Sequence, residues 1–166
     1  MQTCYLLQSM IKSGSTSTIF SMAISSVMKF QPRSLNTVIV AFRGTDDLND
    51  MRIDLQLSQV EYNKDLYENV YVHSGFKTQY DSIRDQVYQF VAEKCKANKP
   101  KRLLITGHSL GGSLATLCAL DLVLNPLPNG LPVMKVITFG APQVGNERFV
   151  EIFNQNVPDC YRLAVL

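Results

Sequence analysis

Several things are scarce in this chain of 166 residues, and each absence removes a class of function. No apolar run reaches the length that crosses a bilayer, and the start, MQTCYLLQSMIKSG, lacks a basic leader, a long apolar core and a small-residue cleavage site. A soluble protein with no visible compartment address is expected. Charge of one sign is scarce too: the formal net charge is +2 with no basic block. That excludes the phosphate-neutralising stripe of a nucleic-acid binder and gives no reason to expect an anionic surface as partner. The four cysteines, Cys4, Cys95, Cys118 and Cys160, lie far apart with no C-x-x-C. Neither a zinc site nor a disulfide scaffold is signalled, and free thiols acting as small hydrophobes are expected. The two histidines are His73 and His108, so no imidazole is available beyond residue 108.

What is present is core. With 46% hydrophobic and 18% charged residues, the chain suits one globular domain over 1–166. Phe20, Met22, Ile24, Met28 and Phe30 alternate with Ser21, Ser25 and Lys29, the period of a half-buried strand. QPRS at 31–34 then turns the chain, and TVIVAF at 37–42, apolar on both faces, reads as its partner near the sheet centre. Phe76, Tyr80, Ile83, Val87, Phe90 or Val91, and Cys95 recur every three or four residues, which predicts a helix over 75–97. Strands at 102–106, 136–139 and 161–166, separated by helices at 109–124 and 146–155, predict an α/β fold. Its mainly parallel sheet has crossover helices and an N-terminal antiparallel hairpin.

The stretch carrying chemistry is ITGHSLGGSLA at 105–115, with Gly107-His108-Ser109-Leu110-Gly111 at its centre. A G-x-S-x-G match arises by chance about once in twenty chains of this length, taking average glycine and serine usage. Context strengthens it, because the motif follows a strand and opens a helix, as a nucleophile elbow must. Such an elbow strains the serine backbone and needs small neighbours, which Gly107, Gly111, Gly112, Ser113 and Ala115 supply. The plain alternative is a glycine-rich turn with an N-capping serine. A phosphate loop fits worse, since neither its Lys-Ser/Thr ending nor a dinucleotide fingerprint is present. The Leu110 N–H, at a helix N-terminus, is placed to face an oxyanion; Thr45, after TVIVAF, is a candidate second donor through its N–H and hydroxyl.

Four stretches in order, VIVAFRGTDDLNDMRIDL (38–55), VYVHSGFKTQYDSIRDQV (70–87), LLITGHSLGGSLATLCAL (103–120) and VITFGAPQVGNERF (136–149), resemble the fungal and plant class 3 lipases. The resemblance implies an α/β-hydrolase fold, Ser109 as nucleophile, Thr45 and Leu110 as oxyanion hole, and hydrolysis of carboxylic esters, usually lipids, with no metal or cofactor. It places a lid at about Asp46–Ile53, where Met51 stands in place of a common tryptophan. The three aspartates of DDLNDMRI make a poor surface for entering oil, which tilts the expected substrate toward a more polar ester or a phospholipid. Gln143, where relatives often carry arginine, reads as a scaffold variation.

A serine hydroxyl needs a base, itself oriented by an acid. In this fold the chain order is serine, acid, histidine, yet both histidines precede Ser109. His108 sits on a turn where adjacent side chains diverge, and His73 matches a family histidine that is not the catalytic one. Of the later carboxylates, Asp121 lies three turns along the elbow helix, Asp159 precedes the last strand at the wrong end, and Glu147 and Glu151 fall in the helix at 146–155. Because the sequence stops inside an apolar run, the acid and base are expected beyond Leu166, the C-terminal part of the fold being missing and the last strand an exposed, aggregation-prone edge. The competing expectations are an inactive lipase-like module that binds acyl groups or a partner, and an acyltransferase or peptidase on the same scaffold.

Overall fold

A computed structural model of the chain describes the backbone of Val27–Phe30 and residues 36–44 and 58–164. In chain order its elements are β1 (Val27–Phe30), β2 (Thr37–Phe42), β3 (Gln59–Glu61), β4 (Tyr71–His73), α1 (Ser74–Asn98), β5 (Arg102–His108), α2 (Leu110–Leu124), β6 (Val133–Phe139), α3 (Glu147–Asn156) and β7 (Cys160–Leu163). The main sheet has the order β1-β2-β5-β6-β7, with β1 antiparallel to β2 and the other neighbours parallel. This is the expected hairpin followed by a parallel sheet. Phe20, Met22, Ile24 and the 31–34 turn lie outside the described residues.

Sequence explains why β2 and β5 are central. Val38 and Val40 in β2, and Leu103 and Ile105 in β5, are fully buried on the sheet face that forms one core with α1 and α2, and Ile39 and Ala41 on the opposite face of β2 are buried as well. One row of partners, Val40, Ile105, Val136 and Cys160, crosses four strands. Fully burying each valine or isoleucine contributes about 1.5–3 kcal/mol. The next row but one, Phe42, Gly107, Thr138 and Arg162, marks the carboxyl ends of the strands. Among the described residues β7 is the last strand of the sheet, with Tyr161 and Leu163 about half exposed at 54% and 51%.

The helices divide by hydrophobic pattern. In α1 the buried stripe is Phe76, Tyr80, Ile83, Val87, Val91 and Cys95, which resolves the choice between Phe90 and Val91 in favour of valine. It ends where Lys99 turns left-handed at φ 43° and donates its N–H to the Cys95 carbonyl at 3.2 Å, ahead of Pro100. α2 is apolar all round and buried on 11 of its 15 residues, because β2, β5 and β6 flank it on one side and α1 and α3 pack against it as well. α3 begins at Asn146, whose Oδ1 accepts from the Phe149 N–H at 3.0 Å and the Tyr71 N–H at 3.2 Å, tying the helix start to β4.

Two differences from the sequence reading have plain causes. β3 and β4 pair as a separate antiparallel ribbon, too short at three residues each to show a period. β6 starts at Val133 rather than 136, because Val133–Lys135 continue the parallel ladder with Arg102–Leu104 although Val133 is 71% exposed. Cys95, Cys118 and Cys160 are free thiols, and burial pushes the Cys95 and Cys160 thiols up, away from the reactive thiolate. Among the described residues no group of His, Cys, Asp or Glu could hold a metal ion, and no helix is long and apolar enough to cross a membrane.

Candidate active site

The strand-to-helix turn at 105–115 has no loop. β5 ends at His108, α2 starts at Leu110, and Ser109 alone joins them with φ 53° and ψ −124°. For a non-glycine residue this combination is strained by about 1–3 kcal/mol, a cost that persists only where the surroundings over-determine it. The surroundings here are backbone. A Cβ on Gly107 would lie 2.2 Å from the Gly111 carbonyl oxygen, and a Cβ on Gly111 would lie 2.3 Å from the Phe42 carbonyl oxygen. Strand, helix and neighbouring strand therefore meet at glycine contacts that no side chain can enter. The Ser109 N–H donates to the Phe139 carbonyl at 2.9 Å, fixing the elbow to β6 on its other flank.

Ser109 is 6% exposed, and among the described residues nothing is hydrogen-bonded to its hydroxyl. Its carbonyl accepts from Gly112 at 2.9 Å and Ser113 at 3.4 Å, so α2 is wound from the serine onward. Leu110, half-buried, is the first helical residue; its N–H is among those that a helix start leaves without an intrahelical acceptor. Gly44, just after β2, lies against the turn: a Cβ there would sit 2.6 Å from the His108 carbonyl oxygen and 3.6 Å from the Ser109 Cβ. The segment leading into Thr45 thus runs beside the elbow. Thr45 and the Asp46–Ile53 segment are outside the described residues.

The titratable candidates sit elsewhere. His108 is exposed, its ring lying over Gly140, 3.6 Å from where a Cβ of that residue would be. His73 ends β4, donates its N–H to the Val144 carbonyl at 2.9 Å and packs its ring on Phe76 at 4.4 Å between centroids. Asp121 is buried, and its two oxygens accept four hydrogen bonds: from Tyr80 Oη at 2.7 Å, Arg84 Nε at 2.9 Å, Arg84 Nη2 at 3.0 Å and Asn125 Nδ2 at 2.9 Å. Burial first, and then the nearby Cys118 and Asp121, hold the Tyr80 phenol protonated far above its ordinary range; the hydrogen bond to Asp121 raises Arg84 further. This is a structural acid, and the tyrosine and arginine that meet it lie 41 and 37 positions away, where no local signal links them to it. Asp159 lies 3.7 Å from Lys135 Nζ, and its carbonyl accepts from Val136, about 13 Å short of the strand ends where Ser109 stands. Glu151 pairs with Arg148 at 2.8 Å, and Glu147 is exposed in the first turn of α3. Gln143 is exposed, and its Nε2 donates to the Gly145 carbonyl at 3.0 Å.

The arrangement is a strained serine at the carboxyl end of a parallel sheet, next to a helix N-terminus and held by backbone contacts. The family model for class 3 lipases matches residues 39–165. A lipase of Rhizopus niveus is 28% identical over 148 residues, covering 88% of this chain and 37% of that protein. A secreted mono- and diacylglycerol lipase of Malassezia restricta is 32% identical over 139 residues, covering 81% and 45%. The chain spans less than half the length of these curated relatives. Among solved structures, the triacylglyceride lipase of Rhizomucor miehei superimposes with a TM-score of 0.77 at 27% identity, over 89% of this chain and 57% of that one. The chain, with its α/β-hydrolase sheet, belongs to the class 3 lipase family.

Proposed function

We propose that this chain carries the nucleophile of a serine carboxylic-ester hydrolase acting on lipid esters. The observation that supports it best is the conformation of Ser109, φ 53° and ψ −124°, between β5 and α2. In this reading Ser109 Oγ attacks the ester carbonyl, the alcohol leaves with a proton, and water then releases the acid from the acyl-serine. The oxygen that becomes negative in the tetrahedral intermediate faces the Leu110 N–H and the N–H and hydroxyl of Thr45. Each such donor, preorganised, contributes about 3 kcal/mol to the barrier reduction. The chemistry so assigned needs neither metal nor cofactor. The reading assigns no base and no acid: His73, His108, Asp121, Glu147, Glu151 and Asp159 are all placed away from that task or engaged elsewhere.

The Malassezia restricta and Rhizomucor miehei proteins are acylglycerol lipases by name, and three aspartates at 46, 47 and 50 favour a more polar ester or phospholipid at a lipid interface for this chain. A fluorophosphonate probe should label the wild type and not Ser109→Ala; equal labelling of both excludes Ser109 as nucleophile. Among the described residues none is hydrogen-bonded to the Ser109 hydroxyl, which favours a second reading, a lipase-like module that binds acyl groups without turnover. It predicts lipid binding with no hydrolysis of short p-nitrophenyl esters, and turnover abolished by Ser109→Ala rejects it.

A further inference from the structure

We propose that Arg162 is a positioning residue for the Ser109 elbow, acting through the Gly140-Ala141-Pro142 bend; this rests on the reading of Ser109 as nucleophile. The bend touches the elbow at two points. The Phe139 carbonyl, one residue before it, accepts the Ser109 N–H at 2.9 Å. The Ala141 methyl covers the bare face of Gly112, where a Cβ would come within 2.6 Å of it. The first contact aligns the backbone of the nucleophile, and the second sets the distance of the helix start from β6.

From its other side the bend is held by β7, again at two points. The Gly140 N–H donates to the Leu163 carbonyl at 2.7 Å, with Gly140 in the left-handed region at φ 55°. The Arg162 guanidinium donates through Nη2 to the Ala141 carbonyl at 2.8 Å. Arg162 stands opposite Thr138 in the β6–β7 register, so its side chain spans from one strand to the bend that leaves the other. A charged donor on a neutral carbonyl is shorter and stronger than an amide pair, and its planar fork directs the bond. Arg162 is also exposed, so the bond adds little to global stability. Its effect is therefore local: it narrows the positions open to Ala141, and through Ala141 and Phe139 those open to Ser109.

The test compares wild type, Arg162→Met and Arg162→Lys in two measurements. Hydrogen exchange of the Ser109 amide reads the tie to Phe139 directly. Arg162→Met should speed it about tenfold while amides of α1 keep their rates, and Arg162→Lys, which restores a charged donor, should recover most of the loss. The rate of fluorophosphonate labelling at Ser109 should fall about tenfold in Arg162→Met, with the probe's saturation constant unchanged, as expected of a displaced nucleophile. Unaltered exchange at Ser109, or faster exchange spread evenly over α1 and α2, overturns the proposal. An exchange response without labelling of any variant defeats the nucleophile reading and, with it, the catalytic meaning of the positioning. Should Arg162→Met fail to fold, Arg162→Gln carries the same comparison.

Discussion

The two ends of α2 are built on opposite principles. At its start the helix leaves Ser109 in a strained conformation, its hydroxyl without a partner among the described residues, and is gripped by glycine contacts to backbone. Twelve residues on, Asp121 is buried with four hydrogen bonds on its two oxygens, and Asn125 closes the helix by donating its N–H to the Asp121 carbonyl at 2.8 Å. One end keeps a torsion strained, a condition that costs stability and persists only where the surroundings over-determine it. The other satisfies a buried carboxylate completely, which anchors α2 to α1 and removes Asp121 from any chemistry. Polar residues on the same helix thus have opposite roles, separable by counting partners.

Breaking the first end should have the largest effect. Gly107→Ala and Gly111→Ala each press a methyl to within 2.2–2.3 Å of a backbone oxygen that no side-chain rotation can relieve. Both are expected to destabilise by more than about 4 kcal/mol, the exceptional end of single substitutions. Urea unfolding followed by tyrosine fluorescence, convenient in a chain without tryptophan, measures it. A loss under 1 kcal/mol in either variant shows that the elbow is slack.

Breaking the second end should have a smaller effect. Asp121→Ala leaves the Tyr80 hydroxyl buried without its acceptor, but Arg84, whose side chain is 37% exposed, regains water. The expected loss is about 3 kcal/mol, at the low end for a broken buried pair. Asp121→Leu combined with Arg84→Met should restore part of it, since packing replaces the charges.

The sequence showed these two ends unequally. The elbow was legible because its requirements are local: a strand, a serine and small residues at fixed spacing lie within eleven positions, and Gly107 and Gly111 are small for the reason the geometry gives. The helix stripe from Phe76 to Cys95 was legible because one-sided burial imposes a period, and β2 because burial of both its faces leaves an unbroken apolar run. The Asp121 network was not, since Tyr80 and Arg84 are about forty positions away and appear in the sequence as a stripe residue and a surface charge. Arg162 was silent for the same reason, as its partner is a carbonyl, which has no signature. β3 and β4 escaped because three residues carry no alternation.

A third change separates the phenol from the carboxylate it serves. Tyr80→Phe removes one donor and leaves Asp121 with three, so about 1.5 kcal/mol should be lost at pH 8. The sign of its pH dependence follows from the raised phenol. Unfolded tyrosine ionises near its ordinary value of 10.0, while folded Tyr80 stays protonated because it is buried. The stability held this way is complete below that value and falls as pH rises above it, by about 1.4 kcal/mol per pH unit for each such tyrosine. Burial raises Tyr62, Cys95 and Cys160 likewise and adds the same downward slope to both proteins, so the wild type should fall more steeply than Tyr80→Phe by the Tyr80 share alone, and the gap between them should close by about pH 11. Parallel curves at pH 8 and 11 place the Tyr80 phenol in water.

The smallest expected effect isolates strain from chemistry. Ser109→Ala removes the hydroxyl but keeps a Cβ at φ 53°, so its stability should match wild type, a nearly buried hydroxyl with no partner among the described residues having little to lose. Ser109→Gly removes the same hydroxyl and also the Cβ that makes this conformation costly. Relief of about 1–3 kcal/mol, less about 0.5–1 kcal/mol for the freer unfolded chain, predicts that Ser109→Gly is more stable than Ser109→Ala by about 1 kcal/mol. Urea midpoints of the two variants, both unreactive toward a fluorophosphonate, read the difference without interference from labelling. If alanine is equal or better, the torsion at 109 is relaxed, and the contrast between a strained start and a satisfied end of α2 fails at its first term.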